Sequence, residues 1–153
     1  MKKYFCLSLL MFLLLTIATT AMSQEKRSPS LNHLALYVTN LQKSTWFYKE
    51  VIGLDTMPEP FHDGRHSWFK VGEHSQLHII SGASAPTQHD KDTHVCFSVA
   101  HLSDAIARLE KNNIPYENWP GEKGKQTKRA DGVMQIYLRD PDGYWIEIND
   151  DKF

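Results

Sequence analysis

Apolar and polar residues alternate along Asn32-His33-Leu34-Ala35-Leu36-Tyr37-Val38-Thr39, and a matching run returns at Thr93-His94-Val95-Cys96-Phe97-Ser98-Val99-Ala100. Alternation of this kind marks a β-strand with one buried face. His33 and His94 are 61 residues apart, and the register holds beyond the strands: Leu41 matches Leu102, Ser44 matches Ala105, Thr45 matches Ile106 and Tyr48 matches Leu109. Leu102, Ala105, Ile106 and Leu109 have the spacing of one helical face. In the first half, Asn40 can cap a helix and Gly53 can stop it. Each half then ends in a strand pair. Ser67–Val71 and Gln76–Ile80 flank Gly72-Glu73-His74-Ser75, while Val133–Leu138 and Tyr144–Ile148 flank the strong turn Asp140-Pro141-Asp142-Gly143. Further short strands are expected near Asp55–Met57 and Tyr116–Trp119. The pattern predicts an α+β domain over residues 31–150, built as two βαβββ modules at 31–83 and 91–150. An inserted loop, residues 121–129, lengthens the second module.

Strand alternation also sorts the ionisable residues. Leu34, Leu36 and Val38 would pack under the helix, leaving His33, Ala35 and Tyr37 on the opposite face. Val95, Phe97 and Val99 do the same in the twin strand, with His94, Cys96 and Ser98 opposite. In the closing strands His78 and Glu147 share that polar face, with Trp145 and Asn149 beside Glu147. A single inward histidine on a strand is more often a hydrogen-bonded structural residue than a ligand. Here equivalent strands carry an ionisable group at equivalent places, and uncompensated burial of such groups would cost several kcal/mol. A shared divalent ion compensates all four. Imidazole and carboxylate donors suit Zn²⁺, Ni²⁺, Fe²⁺ or Mn²⁺.

The chain's first residues belong to a different pattern. Lys2 and Lys3 precede an apolar run from Tyr4 to Ala18, and Ala21 and Ser23 stand at the minus-three and minus-one positions of a cut before Gln24. That is the layout of a secretory signal peptide over residues 1–23, which implies a periplasmic or secreted protein with no lasting membrane insertion. Residues 24–30 read as a short flexible lead-in. Cleavage leaves 130 of the 153 residues, enough for one domain with a real core. The remaining 15 basic and 18 acidic residues give a formal charge of −3, which offers nucleic acid no electrostatic footprint. Cys96 is then the only cysteine, so no intramolecular disulfide forms.

On these residues, 31–150 resembles a vicinal oxygen chelate domain, of the glyoxalase, bleomycin-resistance and dioxygenase kind. Asn32-His33-Leu34-Ala35-Leu36-Tyr37-Val38, Thr93-His94-Val95 and Asp140-Pro141-Asp142-Gly143-Tyr144-Trp145-Ile146-Glu147 carry the resemblance. It implies two modules whose sheets form a cup around one metal, with ligands from the first and last strands of each: His33, His78, His94 and Glu147. The ion would act as a Lewis acid on two neighbouring oxygens of a small substrate.

Bacterial glyoxalase I is the nearest pattern and implies lyase or isomerase chemistry with a metal-bound carboxylate moving the proton. The sequence departs from it at His78, where that family has a glutamate, which leaves Glu147 as the carboxylate base. An exported location also argues against a glutathione adduct as substrate. The alternatives are an extradiol-type dioxygenase, with Fe²⁺ on His33, His94 and Glu147 and His78 as acid–base, and a drug-binding protein of the bleomycin-resistance type, which uses no metal. A fosfomycin-resistance thiol transferase would also use three ligands. Lys125 and Arg129 in the inserted loop are candidates to clamp an anionic substrate. Tyr37, Trp68, Cys96, Tyr137 and Trp145 are candidates to line the site. His62, His66, His74, His89 and His101 read as surface residues. Module pairing of this kind often builds homodimers.

Overall fold

The computed structural model describes residues 28–152. The expected leader, residues 1–23, and most of the lead-in lie outside them. From Leu31 onward the order is β1 (His33–Val38), α1 (Leu41–Trp46) running on into a π-helical segment (Phe47–Ile52), β2 (Thr56–Met57), β3 (His66–Val71) and β4 (Ser75–Ser81). The second module follows as β5 (His94–Ser98), α2 (Leu102–Lys111), β6 (Thr127–Lys128), β7 (Met134–Arg139) and β8 (Trp145–Asn149). Two four-stranded mixed sheets result, ordered β1-β4-β3-β2 and β5-β8-β7-β6. In each, the first strand pairs parallel with the last, which pairs antiparallel with its predecessor. These are the paired βαβββ modules of the duplication. No helix among the described residues is long and apolar enough to cross a membrane.

The first helix starts where the side chain of Asn40 accepts a hydrogen bond from Lys43 N. It stops at Gly53, whose φ of +89° is the left-handed conformation that glycine adopts without strain. The π-helical turn of its second half was not legible in the sequence. It buries Phe47, Tyr48, Val51 and Ile52 together against the core. In α2 the predicted face is the observed one, with Leu102, Ala105 and Leu109 buried. Leu36, Val38, Leu77, Ile79, Phe97, Ile136, Ile146 and Ile148 join both helices in one core spanning the two modules. Leu34 was expected to pack with them but is exposed.

The second module departs from expectation at its weak strand. Residues Tyr116–Trp119 form no strand; Glu117 alone makes a bridge, exchanging backbone hydrogen bonds with Tyr137. Pro115 and Pro120 bracket the segment and supply no N–H. Lys91 Nζ meanwhile takes the carbonyls of Asn118 and Trp119, at 3.3 and 3.2 Å. The edge strand forms instead within the inserted loop, at Thr127–Lys128.

The Asp140–Gly143 turn locks the modules together. Asp142 is 2 % exposed, and its carboxylate accepts from Thr39 N at 2.7 Å and Ser44 Oγ at 3.0 Å in the first module. Asp140 accepts from Tyr48 Oη at 2.8 Å. Gly143 is at φ +91°, and a Cβ there would come 2.3 Å from the carbonyl oxygen of Thr87, so only glycine fits.

Candidate metal centre

β5 and β8 lie side by side with Cys96 opposite Glu147, so His94 and Glu147 are diagonal neighbours on the inward face. His94 Nε2 lies 3.2 Å from Glu147 Oε2. His94 Nδ1 donates to the Lys91 carbonyl at 2.8 Å, which leaves Nε2 as the bare, metal-competent nitrogen. The carboxylate is itself held at both ends. Tyr137 Oη donates to Oε2 at 2.7 Å, and Asn149 Nδ2 donates to Oε1 at 2.8 Å. Gln135 Nε2 in turn donates to Tyr137 Oη at 2.6 Å. Burial, then the Glu147 carboxylate, raises the Tyr137 phenol above the ordinary tyrosine range, so it stays a donor at neutral pH. Two ligands each about 2.1 Å from an ion, and 90–110° apart around it, sit about 3.0–3.4 Å from one another. The His94–Glu147 spacing fits that, and the oriented second nitrogen and fixed carboxylate are what an ion needs around its ligands.

The first module presents a different pair. His33 is exposed on β1, with Nδ1 bonded to Asn32 Oδ1 at 2.7 Å and Nε2 open. His78 is buried, and its Nε2 is bonded to Gln76 Oε1 at 2.8 Å. Its ring stacks on His33 with centroids 4.3 Å apart and on Trp68 with centroids 4.0 Å apart. Burial, followed by the nearby His33 and His66 imidazoles, lowers the His78 pKa and holds the ring neutral. His33 keeps a free Nε2 and His78 a free Nδ1, but with the two rings stacked face to face they do not point at one ion. Nor do the four donors implied by the resemblance converge within the chain. Among the described residues no three His, Cys, Asp or Glu side chains are placed to hold one ion. The donors form two pairs, one on each sheet.

The remaining residues named from the sequence are placed as follows. Tyr37 is half-exposed on the inward face of β1, its ring lying over Gly82. Trp145 is buried: its Nε1 donates to the His89 carbonyl, and the Lys91 and Arg139 cations lie against its ring at 4.7 and 4.3 Å from the centroid. Lys125 is exposed in its loop. Arg129 is bound by Asp131 and Asp151 rather than free to clamp an anion. His66 and His89 are half-buried rather than open on the surface; His66 sits under Phe61 beside Asp63, and His89 stacks on Tyr144. Sequence reasoning passed over Gln76, Lys91 and Gln135. The signal was present for Gln76 and Gln135, since each lies two residues before a site residue on the same face of its strand.

Cys96 is exposed as a residue, but its sulfur is turned onto the carboxylate. Its thiol is 3.4 Å from Glu147 Oε1, and Asn149 Nδ2 donates to the sulfur at 3.1 Å. Desolvation there, with the Glu147 charge, pushes the thiol pKa up to about 12. The thiolate is the reactive form, so alkylation by iodoacetamide at pH 8.5 should be at least about a hundredfold slower in the native protein than in urea. Equal rates would show that the thiol is not held against Glu147.

Two βαβββ modules, each carrying a pair of ionisable residues on its first and last strands, define a class of small α+β proteins built by duplication. Residues 30–148 match the Glyoxalase/Bleomycin resistance protein/Dioxygenase superfamily, and the chain belongs to it. It is similar to the virulence protein STM3117 of Salmonella typhimurium, at 30 % identity over 78 % of this chain and 82 % of that one. It is also similar to a lactoylglutathione lyase of Pseudomonas putida, at 27 % identity over 76 % of this chain and 82 % of that one. Among solved structures, oxidase ChaP-H2 superposes with a TM-score of 0.68 at 20 % identity, over 83 % of this chain and 97 % of that one, a likeness of fold. Members of this superfamily are commonly enzymes that use a divalent metal on a small substrate.

Proposed function

We propose that the protein is an exported metal-dependent enzyme of lyase or isomerase type, acting on a small substrate held through two neighbouring oxygens. The observation that carries this reading is the His94–Glu147 pair, with Nε2 and Oε2 3.2 Å apart and each side chain fixed from behind. His94, Glu147 and His33 would hold the ion. When bound, it supplies Lewis-acid polarisation of the substrate oxygens.

The chain's own residues do the rest. Glu147, the carboxylate of the site, accepts a proton from the carbon beside the held oxygens, and Tyr137 and Asn149 keep it aimed. A cavity of about 450 Å³ beside His94, walled by Leu34, Leu36, Val95, Tyr144 and Trp145, gives the substrate's carbon skeleton an apolar seat. The similarity to a lactoylglutathione lyase supports this chemistry. A second reading, a ring-cleaving dioxygenase, is favoured by the face-to-face stacking of His78 on His33, which sets His78 aside and leaves two histidines and one carboxylate as donors. Oxygen uptake with a catechol would select it.

Because the donors fall in two pairs, the proposed centre takes His33 from one copy and His94 with Glu147 from another. The inward faces of both first strands support such pairing. His33, Tyr37, His94 and Cys96 are exposed there, and the exposed large apolar side chains of Phe61 and Trp119 lie nearby, against Trp68 and Tyr137. The test is complementation. His33→Ala and Glu147→Ala chains, each metal-free alone, are co-expressed with different tags. The doubly tagged dimer then has one site with both lesions and one intact, so it should carry one metal ion. Mixed dimers without metal, or a monomer that binds it, would refute the shared site. Export is checked by the intact mass of the envelope protein, expected to begin at Gln24; a chain that still starts at Met1 would refute it.

A further inference from the structure

The stack across the first sheet gives His78 a role other than that of a ligand. Trp68 and His78 are direct partners on β3 and β4, and His33 is diagonal to His78 on β1. Their rings form a row: Trp68 to His78 at 4.0 Å and 2° between planes, His78 to His33 at 4.3 Å and 10°. Coplanar five-membered rings with centroids that close would collide edge to edge, so these rings lie face to face. An imidazole nitrogen binds an ion through a lone pair lying in the ring plane. Parallel, separated planes do not meet, so one ion cannot lie in the planes of both His33 and His78.

One hydrogen bond and one missing hydrogen bond bear on this arrangement. His78 Nε2 is committed to Gln76 Oε1. Trp68 Nε1 is buried with no hydrogen-bond partner, so ring contact rather than its N–H sets the indole's position. His33, by contrast, has Nδ1 tied to Asn32 and Nε2 open. Its ring plane is defined on one side by His78 and, behind that, by Trp68.

We propose that His78 is a wedge rather than a metal ligand: with Trp68 as its backstop, it holds the His33 imidazole plane in position for the ion. Trp68 and His78 are thus positioning residues for His33. The inference rests on the proposed metal centre and deepens it, fixing the protein donors at His33, His94 and Glu147.

Co²⁺ titration of the mature protein, followed by visible absorption, tests it. His78→Phe keeps a flat ring in the stack and removes both nitrogens. It should bind Co²⁺ within about threefold of the parent affinity, with an unchanged spectrum. His78→Ala and Trp68→Ala remove the wedge or its backstop and should weaken binding about 10- to 100-fold, the usual size of an effect on ligand orientation. Equal loss in His78→Phe and His78→Ala, with an altered spectrum, would make His78 a ligand and overturn the proposal. Pulsed EPR of the Cu²⁺-loaded parent needs no variant. Two coordinated imidazoles support the wedge; three overturn it. His94→Ala separates the two levels of inference. If it binds Co²⁺ like the parent, or if the parent binds none, the metal centre itself is wrong and the wedge falls with it.

Discussion

A metal-loaded Glu147→Gln protein is expected to lose about 10²–10⁴-fold in proton–deuteron exchange of 2-hydroxy carbonyl compounds in D₂O, while keeping much of its metal. The amide oxygen of glutamine can coordinate, but the group does not titrate near neutral pH. Its surroundings also accept the change. Glu147 receives Tyr137 Oη on one oxygen and Asn149 Nδ2 on the other. With the amide oxygen kept at the Oε2 position, beside His94 and accepting from Tyr137, the new N–H₂ takes the Oε1 position, where the Asn149 amide can turn to present its oxygen. The substitution therefore removes the base with little disturbance of the scaffold. Exchange is the right readout because it registers removal of the proton without any assumption about the product. A metal-loaded variant exchanging at the parental rate would remove Glu147 from the proton path. Parental exchange that is absent altogether, together with oxygen uptake on a catechol, would favour the dioxygenase reading.

The two modules and the polar strand faces were legible because strand alternation and the 61-residue offset are local properties of the chain. Asn40 and Gly53 bound the first helix as their chemistry requires, and Leu102, Ala105 and Leu109 are buried as their spacing demands. What alternation cannot supply is register between strands. It places His33 and His78 on one face but does not say whether they converge or stack. That depends on Ala35, not His33, standing opposite His78, and on Trp68 standing opposite it from the other side. Nor does a duplicated pattern say which half-sites face each other, since the same two modules serve one site within a chain or two sites across a pair. Arg129 illustrates a smaller gap. Its place in a loop with Lys125 suggested an anion clamp, but Asp131 two residues on and Asp151 already hold it. The lost strand at Tyr116–Trp119 was foreshadowed by its flanking prolines, whereas the capture of its carbonyls by Lys91 was not.

Asp142→Ala should destabilise the fold by about 3 kcal/mol, lowering the melting temperature by about 10 °C, with the metal half-sites chemically untouched. The carboxylate is buried and spans the modules, holding Thr39 N with one oxygen and Ser44 Oγ with the other. Hydrogen bonds to a charged group contribute about 1.5–3 kcal/mol each, and truncation leaves both donors without their partner in a region water reaches poorly. The buried charge carries its own desolvation cost, which Ala relieves, so the net loss stays well below the sum of two such bonds. Asn separates these effects. It keeps one acceptor of similar shape and drops the charge, so Asp142→Asn should lose about half as much as Asp142→Ala. The turn also anchors β8, which begins three residues later and carries Glu147. Loosening it should therefore weaken metal binding as well, more in the Ala variant than in Asn. Thermal unfolding of the two variants beside the parent decides the matter. If Asp142→Ala melts within 2–3 °C of the parent, less than about 1 kcal/mol for a domain of this size, the turn would not be what joins the modules.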